Sequence, residues 1–247
     1  MKYLLAAVLI LLTWSDSFAA SGILVRRSTA CTTPANGDEL SEGFEGGYEA
    51  AGWTETVGTG GTLTENYTLT GTAPAGSCLV GLYSAAIAGA SNMTYATWDA
   101  GAPISRAGSL DITGSIRVNS STLPANDDAL TVLHWSNYST SDAAGLAMVK
   151  LIDDNGTLMI KAQGAGNSAE VAITTGIWYS FVLHLDGTAA SSYFQIDAGT
   201  TCDAASECTF ARFDSADGQY LHTGPGYQLD TDEAAAIEWG GIWVNTP

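Results

Sequence analysis

The side chains of this 247-residue chain that could do chemistry are its clustered carboxylates and its few bases. Glu39, Glu42, Glu45 and Glu49 fall in "ELSEGFEGGYE", Asp127-Asp128 and Asp153-Asp154 are adjacent pairs, and "DTDEA" holds Asp230, Asp232 and Glu233. Glycoside hydrolysis with retention needs two carboxyl groups about 5 Å apart, and alternate positions on one strand supply that because they share a face. None of these clusters has that spacing in a β run. The glutamates recur at threes and fours, which a strand scatters over both faces. The aspartate pairs stand in turn sequences, where Asp bonds its own backbone. Eliminative cleavage of a uronate polymer asks instead for a Tyr or His base with Arg, Gln or Asn against the substrate carboxylate. The supply is Arg106, Arg117, Arg212, Lys150, Lys161, His134, His184 and His222, with no Arg-x-Glu-x-Arg or Gln-x-His pattern among them. His134 takes the parity of Leu130 and Val132, on the core face or its edge. His184 shares a face with Trp178 and Ser180, and nothing local joins the three histidines in a metal site. No Gly-x-Ser-x-Gly elbow occurs. The residues therefore argue against catalysis.

Binding is better supplied. Sugar rings present apolar C–H faces that stack on aromatic rings, while their hydroxyls need converging polar groups. "HWSNYSTSD" places Trp135, Asn137 and Tyr138 where a strand runs into a polar loop. In "GIWYSFVLHLDG", Trp178 lies opposite an apolar stripe of Ile177, Tyr179, Phe181, Leu183 and Leu185. Trp98, followed by Asp99, and Tyr220 complete the candidate ligand set. Trp53, Trp239 and Trp243 are assigned to structure.

The elements that must position these residues are strands. "GSLDITGSIRVNS" puts Leu110, Ile112, Ile116 and Val118 on one face. "LTVLHW" follows, then "AGLAMVKLI" and "TLMIKAQG", joined by "DDNG", whose Asn155-Gly156 supplies the positive φ of a tight hairpin. "SYFQIDAG" returns after the Asp186-Gly187 turn, and "AAIEWGGIWVN" closes the chain. A single helical turn is expected in "DTDEAAAI", Asp230–Ile237. Alternation of period two, punctuated by turns, predicts an all-β fold of two packed antiparallel sheets in a single domain over residues 38–247, preceded by an N-terminal arm over 20–37.

Residues 1–19 read as a signal peptide. Lys2 opens a short basic region, Leu4–Leu12 is apolar but too short to span a bilayer, and Ser17-Phe18-Ala19 sets cleavage after Ala19. The expected product is secreted or at the cell surface, with no membrane insertion after cleavage. The formal net charge of −18, with Arg26-Arg27 in the arm the only basic pair, argues against nucleic acid as a partner. Cys31, Cys78, Cys202 and Cys208 read as disulfides in an exported chain, Cys202 with Cys208 across "DAASE" and Cys31 with Cys78. Asn-x-Ser/Thr sequences occur at Asn66, Asn92, Asn119, Asn137 and Asn155.

"GFEGGYEAAGWTE", Gly43–Glu55, resembles the first strand of concanavalin A-like lectin/glucanase (laminin-G-like) jelly rolls. "TTGIWYSFVLHLDGTAASSYFQIDAG" resembles their central hairpin and "IEWGGIWVN" their final strand. The resemblance spans residues 38 to 247 and implies a jelly-roll sandwich. The glucanases of that group use a Glu-x-Asp-x-x-Glu strand motif, which is absent here. Their structural calcium, held between first and last strands, implies Glu42, Glu45 and Glu238 as ligands, since carboxylates suit that ion. Folds of this kind host many functions. The reading taken forward is a secreted, lectin-like module that binds a polysaccharide or other glycan without catalysis. Its rivals are a structural or adhesive subunit that self-associates in a filament or particle, and a divergent glycan-active hydrolase or lyase.

Overall fold

The computed structural model describes residues 38–42, 44, 52–66, 81–88, 92–105, 107–123, 129–140, 145–186, 192–197, 209–211, 217–226 and 233–246, with only the backbone of 38, 41, 42, 65, 66 and 81. The signal-peptide and arm segments, all four cysteines, Glu45, Glu49, Arg106, Arg212, Asp127, Asp128, Asp230 and Asp232 lie outside the described residues.

In chain order the strands begin β1 (Asp38–Glu42), β2 (Trp53–Val57), β3 (Thr62–Asn66), β4 (Gly81–Ala86) and β5 (Thr94–Ile104). There follow β6 (Leu110–Thr122), β7 (Ala129–Ser136), β8 (Ala147–Asp154), β9 (Thr157–Gln163) and β10 (Val171–Ala172). The last are β11 (Trp178–Leu185), β12 (Ser192–Ile196), β13 (Thr209–Phe210), β14 (Gly218–Thr223) and β15 (Ala234–Asn245). They form an eight-stranded sheet in the order β13-β12-β11-β6-β15-β4-β3, with β1 also on β15, and a seven-stranded sheet in the order β10-β9-β8-β7-β14-β5-β2. Every pairing between these strands is antiparallel. The fold is the antiparallel sandwich that the alternation predicts.

One apolar core lies between the sheets. Leu110, Ile112, Ile116 and Val118 enter it from β6, Phe181 and Leu183 from β11, and Ile237 and Trp239 from β15. Leu130, Leu133, Val149, Leu151, Ile160 and Leu221 meet them from the other sheet. The β8–β9 hairpin turns at Asn155 and Gly156 with φ of 52° and 89°, the left-handed pair its two-residue turn demands.

Four local expectations change. Ala234–Ile237 is extended and opens β15, and no helix occurs among the described residues. Ile177 is 49% exposed, because it stands in the turn after Gly176 (φ 79°), ahead of β11, and so leaves the apolar stripe. The single first strand expected over Gly43–Glu55 is replaced by two: β1 ends at Glu42 on β15, while β2 begins at Trp53 in the opposite sheet. Fourth, β7 slips register between Thr131 and Leu133. Val132 and Leu133 both join the core, so the alternation moves by one residue.

Candidate functional site

That bulge decides which side chains of "LTVLHWS" the outer face of the seven-stranded sheet receives. After it, Leu133 and Trp135 point into the core, and His134 and Ser136 point away from it. Pairing with the neighbours then assembles rows. Met148, His134, His222 and Thr97 are consecutive cross-strand partners on β8, β7, β14 and β5. Lys161, Lys150 and Thr131 form a second row, and Ser136, Tyr220 and Asp99 a third.

His222 is held at both nitrogens. Nε2 lies 3.0 Å from the Tyr138 carbonyl oxygen and Nδ1 lies 2.8 Å from Thr97 Oγ1. A carbonyl only accepts, so Nε2–H donates to it; in the neutral ring Nδ1 then accepts from the Thr97 hydroxyl. The Tyr95 ring meets this imidazole edge-on at 5.5 Å, Tyr220 stacks at 6.5 Å, and the His134 ring lies 5.4 Å away. Gly145 passes so close to His134 that a Cβ there would stand 1.7 Å from Nε2, which only glycine permits. His134, His222, Lys150, Thr131 and Ser136 are buried, Tyr220 and Gln163 are half-buried, and Tyr138 stands half exposed at the mouth beside exposed Asn137. Lys161 donates to Glu170 at 2.9 Å.

Burial, with the nearby charges of His222 and Lys150, lowers the His134 pKa from 6.5 to about 3. Burial and Lys161 lower Lys150 to about 8, Glu233 acting in the opposite sense. Between pH 6.5 and 3 the unfolded chain therefore binds a proton at His134 that the folded chain refuses. The resulting stability is complete above pH 6.5 and is lost as pH falls toward 3, by about 2–3 kcal/mol at a pH near 4.5. Urea midpoints measured across that range are expected to fall in the parent and to fall less steeply in His134→Gln.

The sequence-derived candidates scatter. Asn137 and Tyr138 reach the mouth of this face. Trp135 and Trp98, expected beside a ligand, pack in the core at 2% and 6% exposure, because the bulge turns Trp135 inward and Trp98 is the partner of both Trp53 and Leu221. Trp178 lies on the outer face of the other sheet, with the Arg117 guanidinium 5.1 Å from its ring centroid. Trp243, assigned to structure, is on that outer face too, opposite Thr113 and outside the core cluster. Glu238 is fully buried; Arg117 Nη2 donates to its Oε2, and Asn119 Nδ2 donates to the same oxygen at 3.3 Å. The backbone of Glu42 stands opposite Ile242, four positions along β15 from Glu238, or roughly 13 Å at the usual rise. Glu238 thus faces a guanidinium and stands well away from Glu42 in the implied calcium set.

His134, His222, Lys150, Thr97 and Tyr95 were missed as a group. The available signal was the adjacent apolar pair Val132-Leu133, which breaks strict alternation and marks a bulge.

No protein-family model and no curated protein matches the chain. Among solved structures, a sialidase is similar at 10% identity and a TM-score of 0.51, with 85% of this chain and 18% of the sialidase covered. A PL7 alginate lyase from Zobellia galactanivorans is similar at 13% identity and a TM-score of 0.45, covering 68% of this chain and 78% of the lyase. The binding domain of botulinum neurotoxin serotype G gives 10% identity and 0.45, over 85% of this chain and 48% of that one. The chain therefore spans less than a fifth of the sialidase, and the likeness is one of fold. Two open antiparallel sheets packed on a single core in this way form a jelly-roll sandwich.

Proposed function

We propose that the chain is a secreted glycan-binding module that holds a polysaccharide along the outer face of the seven-stranded sheet without cleaving it. The observation that carries the reading is the composition of that face. In a chain of net charge −18, both lysines beyond Lys2 and two of the three histidines gather there, with Tyr95, Tyr138 and Tyr220. Two lysines on one face of an otherwise acidic chain suit a polymer bearing acidic groups, and the half-exposed Tyr138 offers a ring for a sugar to stack on.

The test is retention of the full chain on immobilised alginate and polygalacturonate against neutral glucan and xylan, with reducing ends and unsaturated products measured on the same samples. Lys150→Gln is expected to cut retention on the acidic polymers by about tenfold, and added salt to weaken it. Equal retention on neutral polymers, or indifference to Lys150→Gln, overturns the acidic-glycan reading. Release of products would favour a second reading, eliminative cleavage. The half-buried Tyr220 in the row beside His134 and His222 supports it, a phenol being one of the groups that can serve as the base. No retention with no products would point to a structural subunit.

A further inference from the structure

We infer that the outer face of the eight-stranded sheet carries a second, separate site, for the ring of a neutral sugar. Its floor is set by register. Tyr193, His184, Asp111 and Asn245 are consecutive cross-strand partners on β12, β11, β6 and β15. One step along, on the same face, Thr113 and Trp243 are partners. His184 and Tyr193 stack with ring centroids 4.7 Å apart and planes 17° from parallel, and His184 Nδ1 lies 2.5 Å from Asp111 Oδ1. The carboxylate thereby fixes the imidazole against the phenol ring and makes a rigid aromatic pair, itself only partly buried.

Beside that pair sit polar atoms that meet no partner among the described residues. Trp243 Nε1, Thr113 Oγ1 and Asn245 Oδ1 are buried and have no hydrogen-bond partner among the described residues. Trp243 and Asn245 are 7% and 8% exposed. Such groups are costly to leave unmade. Together they offer one fixed donor, one hydroxyl able to play either part, and one acceptor, with the Asp111 carboxylate next to them. That combination matches a ring with an apolar face and several hydroxyls.

Charge separates this site from the one on the opposite sheet. Among the described residues of this face, Asp111 pairs with His184 and Arg117 with Glu238. No lysine stands here among the described residues to draw an acidic polymer. The ligand is accordingly a neutral glycan.

The experiment is calorimetric titration of the full chain with cellohexaose, xylohexaose and a neutral galactohexaose. At least one is expected to bind. Tyr193→Ala and the near-isosteric Asp111→Asn are each expected to weaken it by about tenfold, Tyr193→Phe to bind as the parent does, and Lys150→Gln to change nothing. The inference is overturned if none of the three binds, or if Asp111→Asn, melting as the parent does, binds equally well. It is also overturned if Lys150→Gln abolishes binding, which would put the neutral sugar on the other face. Failure of the acidic polymers to be retained leaves this result unaffected, so the two sites stand or fall separately.

Discussion

Trp135→Ala is expected to destabilise the protein by about 3–5 kcal/mol, the range for removing a large aromatic from a packed core. It should lower the melting temperature by roughly 10 °C in a chain of this size. The indole is 2% exposed and belongs to the core cluster, with Ala147 and Leu221 as its neighbours in register. A Cβ on Gly218 would lie 2.0 Å from its Nε1, so the ring fills the space that glycine leaves, and Gly218 has no side chain to fill the vacancy. Glycan retention of whatever fraction stays folded should be unchanged, since the ring is on the far side of the sheet from His134 and His222. Thermal and urea melts read the first effect, and retention well below the transition reads the second. A variant as stable as its parent that no longer retains glycan would contradict the placement of this tryptophan.

Glu238→Ala should cost a comparable amount, about 3–5 kcal/mol, for an electrostatic reason. Arg117 is 5% exposed and would be left as a buried guanidinium facing the Trp178 ring, without the carboxylate that balances it. Glu238→Gln keeps the shape and loses only the charge, and should fall between the parent and Glu238→Ala. Arg117→Met combined with Glu238→Leu should be far less harmful than the sum of the separate changes, because replacing both members of a buried pair by apolar groups is often neutral. A double-mutant cycle in urea measures the difference. Additive effects would mean that the two side chains do not act on one another as the geometry shows.

Most of the architecture was legible. Strict alternation in "GSLDITGSIRVNS" and "SFVLHL" identifies which residues of β6 and β11 face the core, and Asn155-Gly156 locates a hairpin turn to the residue. The site was much less so. Its floor is built from β5, β7, β8 and β14, which are distant in sequence, and pairings between them are set by burial of whole faces. No local pattern announces that His134 and His222 will be partners. Trp98 and Trp135 misled for a related reason. An indole beside polar residues looks like a binding platform, but its bulk is equally the filling of a sandwich core, and parity decides between the two. Parity failed where the bulge shifted it. At Glu238, the resemblance implied a calcium ligand, and the sequence could not show that Arg117 is its cross-strand neighbour.

The extra residue in β7 also bears on how such a protein could diverge. Every side chain beyond Val132 on that strand owes its side of the sheet to chain length at one point, not to its own identity. Two relatives with the same "HWS" but one residue fewer before it would show opposite chemistry on that face: one an imidazole, the other an indole. In a lineage built on this sandwich, a single-codon deletion in the middle of a strand could remake the ligand surface in one step, and a comparison that tracked substitutions alone would see nothing change.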